Sequence, residues 1–355
     1  MHTEDIRGML DLMTQAAFCV RDNTIICVNQ AAAARLIAEG SRVSDLLYTG
    51  KEEYAEFTQG CLYLTLSVGA EHCGASVTRL QDADVFVLEQ DADHTELQAM
   101  ALAARELRSP LASIMTIADN LFPLADQSAD EDLRRQMAQI NRGLFQMLRV
   151  IGNMSDAARY AVETPSRQET RDVTALTEEI FRSAAELIRH GGLELTYQGP
   201  EKSVYCLVDA EKLERAIYNI LSNAMKFTPK GGTIAAKMVL HGSKLRLSVQ
   251  DNGSGIAQEL RGSVHNRFLR QPGLEDGRFG IGLGMVLIRS TAAAHGGTVL
   301  IDHPADCGTR ITMTLDIRRT GGNTLSSGIL KVDYAGERDH GLIELSDVLP
   351  PEAFH

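Results

Sequence analysis

The sequence predicts a multidomain α+β protein: a small α/β domain, an antiparallel helical hairpin that becomes a four-helix bundle in a dimer, and an α/β sandwich. Three observations predict it. Two long heptad runs occupy the middle of the chain. Short strand-like runs separated by turn residues precede them. Longer strand and helix patterns, broken by glycine-rich loops, follow them. At 355 residues the chain has room for two or three domains.

The heptads are the clearest signal. Leu97, Met100, Ala104, Leu107, Leu111, Ile114, Ala118 and Leu121 recur in alternating steps of 3 and 4. Such steps keep one apolar seam along a helix of roughly 37 Å. Leu133, Met137, Ile140, Leu144, Met147, Ile151, Met154 and Ala158 repeat the pattern, after a loop expected around Pro123 to Asp130. One hairpin does not cover so long a seam, whereas two hairpins paired as a four-helix bundle do. Asp93 is the expected N-cap, with Glu96 as its capping-box partner.

Residues 1–92 open with a polar helix-like stretch. Ala17 to Val28 then reads as two strands around a tight Asp22-Asn23 turn. Asn29 and an alanine-rich helix over Gln30–Glu39 follow, then strands over Cys61–Val68, Ala75–Leu80 and Val85–Glu89. No cofactor signal is present: there is no Trp, and His72 and His94 read as surface residues. Beyond the hairpin, Glu163–Asp172 with Pro165 reads as a linker.

From Val173 the pattern changes. A helix over Thr174–His190 ends at Gly191-Gly192, and strands follow at Leu193–Tyr197 and Ser203–Val208. A helix over Glu211–Phe227 stops before Pro229. Thr233–Leu240 and Lys244–Gln250 form a hairpin, a glycine-rich loop runs to Gly284, a helix reaches His295, and strands follow at Thr298–Ile301 and Thr309–Ile317. About five strands and three helices in this order make a layered sandwich. In the tail, Gly328–Val332 could add a strand and Leu342–Val348 a short element packed on the preceding domain.

Candidate chemistry sits in this last part. Asn219, Asn223 and Lys226 share a helix face. Two carboxamides and an ammonium suit a Mg²⁺–polyphosphate group, with a neutral oxygen for a hard cation and a point charge for phosphate. Asp251 ends a strand, with Gly253 and Gly255 beside it. Gly280, Gly282 and Gly284 then open a helix whose free N–H groups suit phosphate. A dinucleotide fold is disfavoured, because a long irregular loop and not a first βαβ strand precedes these glycines.

Together these pieces resemble the ATP-binding domain of sensor histidine kinases, in the GHKL ATPase superfamily. Asn219-Ile-Leu-Ser-Asn-Ala-Met-Lys226 is similar to the family's N box, Asp251-Asn-Gly-Ser-Gly255 to the G1 box, and Gly280-Ile-Gly-Leu-Gly284 to the G2 box. His295-Gly-Gly-Thr298 and Gly308-Thr309 fit the C-terminal pieces. The resemblance implies ATP and Mg²⁺ as cofactors: Asn223 would ligate Mg²⁺, Lys226 would contact phosphates, and Asp251 would read the adenine amino group. Asn219, the glycines of the G boxes and Thr309 would complete the pocket. Val264 to Arg270 resembles the F box of the nucleotide lid, with His265 and Asn266 where the family carries Phe and Glu. Arg270 would stabilise the transferring phosphoryl group.

The hairpin resembles the family's HisKA dimerisation domain, and residues 1–92 resemble a PAS sensor. The family signature His-Glu-Leu-Arg-Thr-Pro-Leu is here Arg105-Glu-Leu-Arg-Ser-Pro-Leu111. Arg105 therefore replaces the phosphoacceptor histidine, and a guanidinium cannot attack phosphorus. Glu106, the family's base, is present. Ser109 stands where a Thr positions the water that dephosphorylates the partner, and Pro110 is the family's flex point. His94, eleven residues earlier, is the nearest other histidine.

The domains expected are a PAS-like sensor over 1–92, a dimerisation hairpin with a degenerate H box over 93–162, an ATP-binding domain over 173–319, and a C-terminal extension of unknown role over 320–355. The resemblance implies a two-component protein that binds Mg-ATP and works with the receiver domain of a response regulator. It would act as a homodimer, or as a heterodimer with an intact kinase. The alternative is an ATP-binding pseudokinase that sequesters or dephosphorylates a regulator. Another GHKL ATPase, such as a chaperone or topoisomerase subunit, is disfavoured by the sensor-like start and the heptads.

The bulk properties agree. A formal net charge of −12 argues against a nucleic-acid or acidic-membrane binder. No apolar run approaches the roughly 20 residues of a bilayer span, and the acidic N-terminus does not resemble a secretory signal. A cytoplasmic location follows as an expectation. Cys19, Cys27, Cys61, Cys73, Cys206 and Cys307 form no C-x-x-C pair and read as free thiols.

Overall fold

A computed structural model describes residues 3–80, 83–89, 92–127, 130–161, 168–255, 283–304, 308–318 and 338–354. The chain begins with α1 (Thr3–Asp11), β1 (Ala17–Arg21), β2 (Thr24–Val28), α2 (Gln30–Ala34), α3 (Val43–Leu46), α4 (Lys51–Glu56), β3 (Cys61–Val68), β4 (Glu71–Leu80) and β5 (Ala83–Leu88). Asp22 and Asn23 both adopt positive φ, at 49° and 62°. This is the two-residue turn whose twist matches antiparallel strands. Asn29 is buried and serves three elements. Its Oδ1 accepts from Ala17 N at 3.0 Å and Ala32 N at 2.9 Å, and its Nδ2 donates to Leu10 O and Gln15 O. The helix expected to reach Glu39 stops at Ala34, because Leu36 takes φ 65°, outside the helical region.

Both faces of this sheet are covered. Phe18, Phe86, Leu64 and Leu66 pack under α2–α4, with the Phe18 and Phe86 rings stacked at 4.8 Å. Ile6 and Leu10 of α1 cover Cys19, Cys27 and Val85 on the other side. None of the five described cysteines forms a disulfide. Burial pushes the Cys19 thiol up to about 12 and the Cys61 thiol up to about 11, which keeps both protonated and unreactive. Cys307 lies outside the described residues. His72 is exposed and stacks on Tyr48 at 3.8 Å; the side chain of His94 lies outside the described set.

Two long helices follow, α5 (Ala92–Asp126) and α6 (Glu131–Ala161). Asp93 lies inside α5 and is not its cap. Pro123, expected in the loop, also lies inside the helix, as does Pro110. The heptad seam divides in two. Ala104, Leu111, Ala118 and Ala125 are buried between the helices, together with Leu144 and Ile151 of α6. The alternate positions Leu107, Ile114 and Leu121 are about half exposed, at 49%, 50% and 48%, as are Ile140 and Met147. One chain thus satisfies one of the two heptad positions on each helix.

The rest comprises β6 (Glu169–Asp172), α7 (Val173–His190), β7 (Glu194–Gln198), β8 (Tyr205–Val208), α8 (Ala210–Phe227), β9 (Thr233–His241), β10 (Lys244–Asp251), α9 (Gly284–Ala294), β11 (Val299–Asp302), β12 (Arg310–Asp316), α10 (His340–Glu344) and a 3-10 turn at Pro351–Phe354. The expected linker is partly a strand: β6 pairs antiparallel with β8, and Asp172 then caps α7 through Thr174 N and Ala175 N. The alternating residues Ile234, Ala236, Met238 and Leu245, Leu247, Val249 are buried and share a core with α7 and α8. The tail strand expected over Gly328–Val332 lies outside the described residues. The short C-terminal element is α10.

The two sheet regions are continuous. One ten-stranded sheet runs β2-β1-β5-β4-β3-β11-β12-β10-β9-β7. Its seam is an antiparallel ladder placing Tyr63, Leu62 and Cys61 opposite Val299, Leu300 and Ile301. Lys244 Nζ meets both oxygens of Glu53 at 2.7 Å, and Thr314 Oγ1 donates to Glu53 Oε1 at 3.1 Å. The Arg289 guanidinium lies 4.9 Å from the Tyr63 ring centroid and 3.2 Å from Glu89 Oε1. The approach requires a glycine before β3: Gly60 has φ +93°, and a Cβ there would sit 2.2 Å from Ile301 O.

Gly60→Ala should therefore part β3 from β11. Amide exchange at Leu62 and Leu300 should rise at least tenfold, and stability should fall beyond the roughly 1–2 kcal/mol of a left-handed alanine. Gly69→Ala is the control. Gly69 also has positive φ, +65°, but nothing lies within 4 Å of its Cβ position; only the conformational cost is expected, with the seam amides unchanged.

Candidate functional site

The candidate site is built on α8. Asp209 caps the helix by accepting from Lys212 N at 3.2 Å, and is itself positioned by His295, whose Nε2 accepts from Asp209 N at 3.0 Å. His295 Nδ1 lies 2.7 Å from Thr291 O. These contacts require the neutral ring with its proton on Nδ1, and burial lowers the His295 pKa accordingly. The motif histidine thus ties the end of α9 to the start of α8. Leu213, Ala216, Ile217, Ile220, Leu221 and Ala224 bury the helix on the sheet side.

Asn219 is 1% exposed, and its Nδ2 donates to Arg215 O at 2.8 Å. A Cβ on Gly284 would lie 2.7 Å from Asn219 Oδ1. Glycine thus lets α9 begin directly against the first asparagine, and this helix start has no side-chain cap. Asn223 and Lys226 are half-buried on the same helix.

Asp251 ends β10 at 6% exposure. Its Oδ1 accepts from Gly253 N at 2.9 Å and Thr309 N at 3.2 Å. Burial raises the Asp251 pKa, and the two amides oppose that shift. Ser254 N donates to Phe227 O at 3.2 Å, fixing the turn against the end of α8. Gly255 follows, half-buried with φ +71°. An open cavity of about 640 Å³ lies beside Lys226, Gly253 and Ser254 and extends to Gly191, Leu193 and Lys230; Asn219, Asn223 and Asp251 do not line it. Its size suits a small-molecule ligand. Among the described residues no cluster of His, Cys, Asp and Glu could hold a metal by itself. The donor set instead suits Mg²⁺, which keeps waters and substrate phosphates and takes few protein oxygens; the Asn223 carboxamide is such an oxygen.

The structure therefore brings together Asn219 with Gly284, and Asp251 with Gly253 and Thr309. Arg270, Gly280 and Gly282 lie outside the described residues. Arg105, Glu106 and Ser109 are exposed on α5. Among the described residues, no hydrogen bond or ion pair joins their side chains to α8. The neighbouring Arg108 reaches across to Ser155 Oγ on α6 at 3.4 Å.

Sequence reading missed the charged groups around Lys226. Asp347 Oδ2 lies 3.4 Å from Lys226 Nζ and 2.5 Å from Arg149 Nη1, and Arg149 Nη2 donates to Ser222 Oγ at 3.0 Å. Burial, then Arg149, lower the Lys226 pKa to about 8, and Asp347 acts the other way. No local motif could have disclosed partners 73 to 198 residues apart.

Residues 208–319 match the family described as histidine kinase-, DNA gyrase B- and HSP90-like ATPase. Hybrid signal transduction histidine kinase D of Dictyostelium discoideum is 28% identical over 235 residues, covering 64% of this chain and 15% of that protein. Adaptive-response sensory kinase SasA of Microcystis aeruginosa is 28% identical over 263 residues, covering 70% of this chain and 67% of that one. Among solved structures, full-length ShkA in complex with AMPPNP aligns with a TM-score of 0.51 at 20% identity, covering 63% of this chain and 46% of that one. The chain carries a histidine kinase-like ATPase domain, and its relatives are sensor and signal-transduction kinases. Among the described residues no helix is long and apolar enough to cross a membrane.

Gly284→Ala should push α9 off Asn219 and cost about 1–3 kcal/mol, as overpacking does. A lowered denaturant midpoint and a displaced Asn219 side-chain amide resonance would show it. Gly143→Ala on α6 should instead stabilise by up to about 1 kcal/mol, since nothing lies within 4 Å of its Cβ position.

Proposed function

We propose that this chain is a sensor histidine kinase-like signal-transduction protein. It has a PAS-like sensor over 1–92, a HisKA-type dimerisation hairpin over 93–162 and an ATP-binding domain over 173–319. The observation that carries the reading is the Asp251 carboxylate, held by the Gly253 and Thr309 amides within the matched ATPase region. A buried carboxylate fixed through one oxygen keeps acceptor capacity for an adenine amino group. Asn223 would ligate Mg²⁺, which shields phosphate charge when bound; Lys226 would meet the phosphates; Arg270 would stabilise the transferring phosphoryl group.

The strand order β2-β1-β5-β4-β3 with helices on both faces supports the sensor assignment. The half-exposed positions Leu107, Ile114, Leu121, Ile140 and Met147 support a homodimer, in which a second hairpin covers the remaining heptad stripe. The partner proposed is the receiver domain of a response regulator.

Arg105 favours a second reading of the output. It stands exposed at the acceptor position, always charged and without a nucleophilic lone pair. The chain then binds Mg-ATP without phosphorylating itself there. It acts as a pseudokinase that sequesters or dephosphorylates a regulator, or phosphorylates an intact kinase in a heterodimer. Glu106 and Ser109 are the residues left to act on a docked regulator.

Incubation with γ-labelled ATP and Mg²⁺ tests this. Arg105→His should gain acid-labile, base-stable label at least tenfold above the natural chain. Label of that kind on the natural chain would place the acceptor elsewhere, with His94 the first position to map. For the phosphatase output, Ser109→Ala should slow decay of a phosphorylated regulator about tenfold or more; an unchanged decay rate would remove that role.

A further inference from the structure

The C-terminal segment returns across the whole molecule. Arg338 Nη2 donates to both oxygens of Asp119 on α5, at 2.8 and 2.6 Å. Arg142 donates to the carbonyls of Ser346 and Asp347, and Gln146 also to that of Ser346. Phe354 packs edge-on against Phe145 with ring centroids 5.3 Å apart, and Asn141 donates to its carbonyl. Ile343, Leu345, Leu349 and Phe354 are all at most 2% exposed. This is a built interface.

At its centre two carboxylates of the segment face three cations from two other elements. Glu344 accepts from Arg215 Nε of α8 at 2.9 Å, and its second oxygen lies 3.6 Å from Arg149 Nε of α6. Asp347 takes Arg149 Nη1 and stands 3.4 Å from Lys226 Nζ. Among the described residues, Asp347 is the one carboxylate that meets both Arg149 and Lys226. The anion otherwise expected at Lys226 is a nucleotide phosphate.

We propose that residues 338–354 are an autoinhibitory strap, in which Asp347 occupies the phosphate position at Lys226 while Glu344 and Asp347 together hold α6 against α8. The proposal rests on the reading of α8 as the face of an ATP site. Strap and nucleotide are then competitors for one cation pair. Mg-ATP binds fully only when Asp347 withdraws, and its withdrawal frees α8 from α6. Arg149 Nε and Glu344 Oε2 face each other at 3.6 Å as a buried ion pair without a hydrogen bond, the longest contact of the lock. The low Lys226 pKa agrees with a cation crowded by Arg149 and buried under the segment.

The full-length chain tests this with Mg-AMPPNP as probe. Asp347→Asn keeps shape and packing but removes the competing charge. Calorimetry should show affinity at least fivefold tighter than in the natural chain. Exchange protection of amides 341–349 in the natural chain should fall about tenfold when the probe saturates. Equal affinity in the two chains, with binding intact and protection unmoved, would overturn the strap and leave the ATP site standing. Absence of binding in both chains would overturn the ATP site and the strap with it. Because Asp347→Asn leaves Ile343, Leu345 and Phe354 in place, circular dichroism should report an unchanged fold; tighter binding by a folded variant cannot arise from truncation.

Discussion

Two buried guanidinium groups hold α6, α8 and the C-terminal segment 338–354 in one arrangement. Arg149 on α6 and Arg215 on α8 are 5% and 8% exposed at their side chains. A buried cation is tolerated only when paired and hydrogen-bonded. Arg215 is served by Asp156 and Asn153 of α6 as well as by Glu344; Arg149 by Ser222, Asp347 and Glu344. Each group thus draws its partners from two other segments. Helical pair, ATPase helix and C-terminal segment are mutually dependent, since losing one partner of a buried pair typically costs about 3–5 kcal/mol.

Much of this was legible in the sequence where physics acts over short distances. Heptads located α5 and α6, turn residues located the β1–β2 connection, and the spacing of Asn219, Asn223 and Lys226 put them on one helix. The Asp251 and Gly284 motifs also landed where backbone and side chain meet closely. The failures have identifiable causes. Strand β6, Glu-Thr-Arg-Asp, carries no apolar alternation, because its order comes from β8 and not from its own side chains. The helix after Asn29 is shorter than its alanine-rich sequence suggests, because Leu36 turns to positive φ. Pro123 marked a break that α5 does not take. The division of the heptad stripe into covered and uncovered halves needs three dimensions.

The C-terminal segment shows the same limit more sharply. Glu344 and Asp347 are ordinary surface residues by composition, and nothing near them in sequence predicts their burial. Their partners Arg149 and Arg215 lie 198 and 129 residues away in the sequence. Only the fold reveals that the acidic pair of one segment was placed to meet the basic residues of two others.

The β3–β11 ladder has a consequence for how the molecule assembles. Within the described sheet, β2 and β7 are the outermost strands. Were β3 and β11 to part, two further rows of unpaired amides and carbonyls would open in its middle, and exposed strand edges seek any complementary neighbour. By closing that gap within one chain, the β3–β11 ladder leaves β2 and β7 as the only edges of the described sheet.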